Sequence, residues 1–212
     1  MMLNSWLYNE SKLWWFLLLV GTTLVFTWLS QTFFVSDLLY YNTYGDQLSI
    51  DTIEMMIGGA KKYAWTAYIL APVLLLLRVS LVACCFYIAL FFKDVESDFA
   101  SCFNVALKSD TVFVLFGLFN LVYQLFAPAS NLTELSVSPL SLLNYLDMES
   151  IPGYLLYPLG LINVSEFFYW GVVIGLIRYR YKFSTPESTS FTLSSYGVGL
   201  LLMVLIFALI LM

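Results

Sequence analysis

Histidine is absent from this chain of 212 residues, and Asp, Glu, Lys and Arg together make up only 11% of it. Without an imidazole there is no Ser–His nucleophile and no His-based zinc site, two of the arrangements that activate a nucleophile or water in a dry environment. The third, a pair of carboxylates, is set aside because no two carboxylates share the apolar spans. A net charge of −5 and a pI near 4.5 leave no Lys/Arg stripe to neutralise phosphates, which excludes nucleic acid as a partner class. Cysteine is scarce too. Cys84 and Cys85 are sequence neighbours that a disulfide would strain, so these two and Cys102 read as small core residues without a redox or metal role. The expectation is a protein that is not an enzyme, with no catalytic residue, no cofactor and no metal.

What the chain has instead is apolar length. Hydrophobic residues make up 61% of it and mean hydropathy is +0.85, far from the roughly 45–50% apolar content of soluble domains. Five apolar runs stand out: Leu13–Phe34, Tyr63–Phe92, Thr111–Phe126, Leu155–Tyr179 and Phe191–Met212. About 20 residues cross the ~30 Å hydrocarbon layer, so the predicted fold is all-α: a polytopic membrane helix bundle of five transmembrane helices with short interfacial helices between them. Residues 1–212 then form a single integral membrane domain. The first run lacks a basic leader and a small-x-small cleavage site and is longer than a signal-peptide core, so it reads as a retained signal anchor. The second run exceeds one span, and Pro72 supplies a kink to absorb the excess.

Between the runs lie segments with helical signals of their own. Met1–Lys12, with Trp6 and Tyr8 ahead of Trp14 and Trp15, fits the headgroup level. Ile50, Ile53, Met56/Ile57 and Ala60 recur at helical spacing behind Asp51 and Glu54, and Gly58-Gly59 ends that surface helix. Phe99, Cys102/Phe103 and Ala106/Leu107 form an apolar stripe after three acids, a second surface-lying helix that Lys108-Ser109-Asp110 closes. Leu140–Asp147, between Pro139 and Pro152, is too short to cross and reads as an interfacial or re-entrant helix. Lys12, Lys93, Lys108, Arg178, Arg180 and Lys182 fall on one side of this arrangement, against Lys61 and Lys62 on the other. By the positive-inside rule the N-terminus is cytoplasmic and the C-terminus outside after five crossings. The sequons at Asn9, Asn131 and Asn163 are short patterns expected by chance, and only Asn131 falls in an outer loop.

Two formal charges enter the runs deeply. Arg78 and Glu166 each cost about 2.5–3.5 kcal/mol at the centre of a span, so they are a candidate intramembrane polar pair between spans two and four. Three uses stay open: snorkelling of Arg78 with Glu166 near the interface, a structural clamp, or a substrate or proton site. Asn120 and Gln124, four residues apart on one helix face, and Asn163 beside Glu166 are candidates for a polar path, with interhelical hydrogen bonding as their commoner use.

In the C-terminal half the segments Pro139–Asp147, Ile162-Asn-Val-Ser-Glu-Phe-Phe-Tyr-Trp170 and Gly175-Leu-Ile, followed by a last apolar span, form a pattern. It resembles the bacterial branch of the Yip family, small five-span proteins named for Ypt interaction. The resemblance covers Tyr63–Met212. It implies a five-helix bundle with a cytoplasmic N-terminus, membrane partners and no catalytic residues. The acidic cytosolic motif of eukaryotic members has no counterpart in Met1–Lys12, so trafficking with small GTPases does not carry over. The functional expectation is a non-enzymatic scaffold or accessory subunit of a larger assembly in a bacterial inner (plasma) membrane, in contact with lipids and other membrane protein subunits. The alternative is a permease-type subunit moving a small or lipidic solute.

Overall fold

The structure, a computed structural model, describes residues 12–147 and 150–211. The expected interfacial residues 1–11, with Trp6, Tyr8 and the Asn9 sequon, lie outside the described residues. All regular elements among the described residues are helical. Four helices are long and apolar enough to cross a membrane: Leu13–Phe34, Trp65–Phe91, Phe99–Phe126 and Thr185–Ile210. The fourth expected run, Leu155–Tyr179, is not among them and is divided into two shorter helices.

The first span is α1 (Lys12–Leu29), continued by a π-turn at Ser30–Phe34. Its three threonines donate their hydroxyls to carbonyls three or four residues back, as Thr23 does to Val20 at 2.8 Å and Thr27 to Thr23 at 2.9 Å. A polar side chain so satisfied needs no partner outside its own helix. Two short helices follow, α2 (Asp37–Tyr44) and α3 (Ile50–Tyr63), the latter capped by the Ser49 hydroxyl. The glycines at 58 and 59 do not end α3 as expected. The helix runs four residues further, because Ile53 and Ile57 bury one face and offset the ~1 kcal/mol that each glycine costs. Lys61 pairs with Asp37 at 2.7 Å and ties α3 to α2.

The second span is α4 (Trp65–Phe91), one helix with Pro72 inside it. The third is longer than its apolar run. The surface helix expected to close at Lys108-Ser109-Asp110 is instead α5 (Phe99–Ser109), and it continues through Asp110 into α6 (Thr111–Phe126). Asp110 keeps helical angles (φ −64°, ψ −16°), and Lys108, Ser109 and Asp110 are all buried. The polar triplet reads as a loop only while its partners are unknown: Ser109 donates to Val105 within the helix at 2.9 Å, and Asp110 faces Arg78 of α4.

After α7 (Leu132–Ser136), the apolar run at Leu155–Tyr179 is divided into α8 (Gly153–Leu161) and α9 (Val164–Tyr181). The break lies at Ile162-Asn163, where the Asn163 side chain accepts the Ser165 amide at 3.0 Å and caps α9. The exposed backbone of the break is paired by the segment expected to be an interfacial helix. Only Leu142–Tyr145 is helical there, as a 3₁₀ turn. The Leu142 amide donates to Ile162 at 2.9 Å, the Val164 amide to Leu140 at 3.3 Å, and the Ser141 hydroxyl to Gly160 at 3.2 Å. Irregular backbone at membrane depth demands such internal pairing. The last span begins two turns before its apolar run. A Ser184/Glu187 capping box starts α10 (Thr185–Thr192), a π-turn at Leu193–Gly197 follows, and α11 (Val198–Leu211) completes it.

Leu19, Val79, Phe86, Leu107, Tyr169, Val173, Ile177 and Phe191 meet in one core, drawn from α1, α4, α5, α9 and α10. The last span approaches α4 closely at Gly199, where a Cβ would stand 2.6 Å from the Cys85 Sγ. Cys102 is buried and Cys85 half-buried, but Cys84 is exposed, so it is not the core residue the sequence predicts. At one end of the bundle Arg180 donates to the Ser101 hydroxyl at 2.8 Å and Lys93 stands 5.8 Å over the Phe183 ring. A second loop cluster joins the 37–46 and 127–136 segments, through Asn42 to the Ser130 carbonyl and Leu132 to the Thr43 hydroxyl, both at 2.8 Å. Asn131 caps α7 with its side chain on the Glu134 amide at 2.8 Å.

Candidate functional site

Four helical segments each bring one hydrogen-bonding or charged group to a common point near mid-length. Arg78 comes from the centre of α4, Asp110 from the α5–α6 joint, Glu166 from the first turn of α9, and Tyr196 from the π-turn of the last span. The Arg78 Nε lies 3.4 Å from the Asp110 Oδ1, and its Nη2 lies 4.0 Å from the Glu166 Oε1. The Tyr196 hydroxyl donates to the other Glu166 oxygen at 2.9 Å.

Local helix geometry explains the setting. Phe113 lies three residues after Asp110 and Tyr169 three after Glu166, so each aromatic shares a face with its carboxylate. The Arg78 guanidinium carbon stands 3.5 Å from the Phe113 ring centre and 5.7 Å from that of Tyr169. Phe113, Tyr169 and Tyr196 follow one another as tilted ring pairs, with centroids 4.9 and 5.0 Å apart. A cation on an aromatic face gains about 0.5–2 kcal/mol, more the further it is desolvated, and Arg suits this role because its fork addresses two carboxylates while its plane lies on a ring. The π-turn matters as well. A wider turn rotates the residues after it, and such turns recur at functional sites.

The Asp110 and Glu166 side chains are 5% and 13% exposed, whereas Arg78 retains 37%, so the cluster opens to the surroundings along the arginine. Tyr169 is wholly buried and its hydroxyl has no hydrogen-bond partner.

The other candidates stand apart from this cluster. Gln124 accepts the Ala129 amide at 3.1 Å and finishes α6, and Asn163 caps α9. The Asn120 Oδ1 is buried without a partner. Sequence reasoning missed Asp110, Tyr169 and Tyr196. It also held that no two carboxylates share the spans, which Asp110 and Glu166 overturn. A signal for Asp110 existed: between Phe99 and Gly117 no Gly or Pro interrupts the chain, and the stripe Phe103, Ala106/Leu107 continues in register through Asp110 to Phe113. Nothing in the sequence places Tyr196 against Glu166. No family model, curated protein or solved structure matches the chain, and the cluster is read from its own geometry.

Proposed function

We propose that the chain is a non-enzymatic integral membrane subunit, built like the Yip family, that serves as a scaffold or accessory component of a larger assembly in a bacterial plasma membrane. The observation that carries this reading is the mutual engagement of the charges: Arg78 lies between two carboxylates, stacked on Phe113, and ties α4, α5–α6, α9 and the last span together. Gln124 and Asn163 are engaged in ending and starting helices, which favours a clamp over a lined path.

In this reading α9 is the fifth crossing. It crosses together with α8, the two being parted at the Ile162-Asn163 break, and Arg178 and Arg180 in its last turn meet the headgroups. The end of the bundle that gathers Lys93, Ser101, Arg180 and Phe183 is the cytoplasmic one. The loop cluster of Asn42, Thr43, Ser130 and Leu132 faces outside, with the C-terminus. The faces of α1 and α11 contact lipid and neighbouring subunits.

Extraction of the full chain into native-lipid nanodiscs, followed by native mass spectrometry, tests this. The expected result is a stoichiometric complex with a second membrane protein. A lone 24.2 kDa chain whose melting temperature rises with an added solute overturns it in favour of the permease alternative, with Arg78, Glu166, Asn120, Gln124 and Asn163 along the path.

A further inference from the structure

The charge cluster does not balance. Arg78 contributes one positive charge, while Asp110 and Glu166 contribute two negative charges if both are ionised. Among the described residues the other titratable groups at the cluster are Tyr169 from α9 and Tyr196 from the π-turn, ordinarily neutral phenols, with Cys85 of α4 near Tyr169. The first span brings no ionisable side chain between residues 13 and 34. Lys108 lies two residues from Asp110, about 200° around an ideal helix, and has an interaction of its own. An excess carboxylate charge in a water-poor interior is neutralised by binding a proton rather than carried.

A second observation marks the same place. The Tyr169 hydroxyl is wholly buried, has no hydrogen-bond partner, and has Arg78, Asp110 and Glu166 as its charged neighbours. The phenol offers both an O–H donor and an acceptor oxygen, and with both unused it is a buried polar group that the contacts of the cluster leave unsatisfied. From the charge count at these two little-exposed carboxyls, we infer that Asp110 and Glu166 together hold one exchangeable proton, so that the cluster is a proton-binding site within the membrane. The two carboxyls titrate as a coupled pair around a shared guanidinium, so the proton belongs to the pair and not to one residue. Arg78, the more open member, is the side by which it exchanges with the surroundings. The inference rests on the bilayer setting of these helices and is independent of any subunit role.

Infrared difference spectroscopy of the full chain in lipid nanodiscs, titrated through neutral pH in sodium-free and sodium-containing buffer, reads the protonated carboxyl directly. The wild type is expected to show a buried carboxylic-acid C=O band at neutral pH that disappears at alkaline pH. Glu166→Gln and Asp110→Asn each restore balance with Arg78, so each is expected to abolish that band. Tyr169→Phe, which leaves Arg78 and both carboxyls in place, is expected to keep the band. Circular dichroism of each variant, confirming wild-type helicity, separates loss of the proton from loss of the fold, and where one of the pair misfolds the other carries the test. Absence of the band from the wild type, its persistence in a folded Glu166→Gln or Asp110→Asn variant, or its removal by sodium at constant pH overturns the inference, the last in favour of a metal cation.

Discussion

The middle and the periphery of this bundle follow different rules. In Trp65–Phe91 and Phe99–Phe126, 33% and 39% of the most apolar stretch is buried within the chain, against 11% in both the first and the last span. The middle helices therefore carry the charged residues, because only there does an Arg find two carboxylates and an aromatic face. The peripheral helices are apolar, with hydroxyls that bond back to their own carbonyls. Lipid is as apolar as leucine, so apolar exposure carries no penalty on the outside, while inside the bundle specificity comes from packing and from satisfied polar groups. The last span joins both regimes: its first half buries one face through Ser188, Phe191, Thr192, Ser195 and Tyr196, and its second half, Val198–Ile210, is largely exposed.

Substitutions that break this contrast should rank accordingly. Arg78→Leu is expected to cost about 3–5 kcal/mol in unfolding from mixed micelles, since it leaves two buried carboxyl groups without their cation. In a double-mutant cycle with Glu166→Leu the losses are expected to be non-additive, and additive losses would mean that the 4.0 Å approach carries no coupling. Phe86→Ala opens a cavity at a wholly buried core position, with an expected loss of about 3–5 kcal/mol in the same assay. At Gly199 the contrast becomes a matter of sterics. Gly199→Ala places a methyl 2.6 Å from the Cys85 sulfur, with an expected cost of about 1–3 kcal/mol, and Cys85→Ala should recover most of it by removing that sulfur. Tyr196→Phe removes one hydrogen bond to a carboxyl group and is expected to cost about 1.5–3 kcal/mol. Leu209→Ala, on the exposed face of α11, is expected to change the stability of the isolated chain by less than about 0.5 kcal/mol. A large loss there would place a partner or a second helix on that face.

Much of the architecture was legible because lipid imposes a simple length rule. Arg78 and Glu166 stood out as charges in apolar runs, and α4 emerged whole despite Pro72. Three features were hidden. Asp110 sits in a polar triplet that resembles a loop, since its partner lies 32 positions earlier in the chain. The break at Ile162-Asn163 lies inside a continuous apolar run, and only the pairing of Leu142 and Val164 across it makes that break tolerable. The early start of the last span depends on a capping box and on Ser and Thr hydroxyls that satisfy themselves, so a segment that looks too polar is helical.

By itself the sequence determined the solvent in which this protein folds, the helical class and the residues that carry charge into the spans. These follow from composition and from runs of fixed length, which are local properties. Which charges meet, and that Tyr196 and Phe113 complete their setting, was decided only by the tertiary structure. An ion pair between helices is a relation of distance and angle between positions tens of residues apart, and no periodicity along one chain records it.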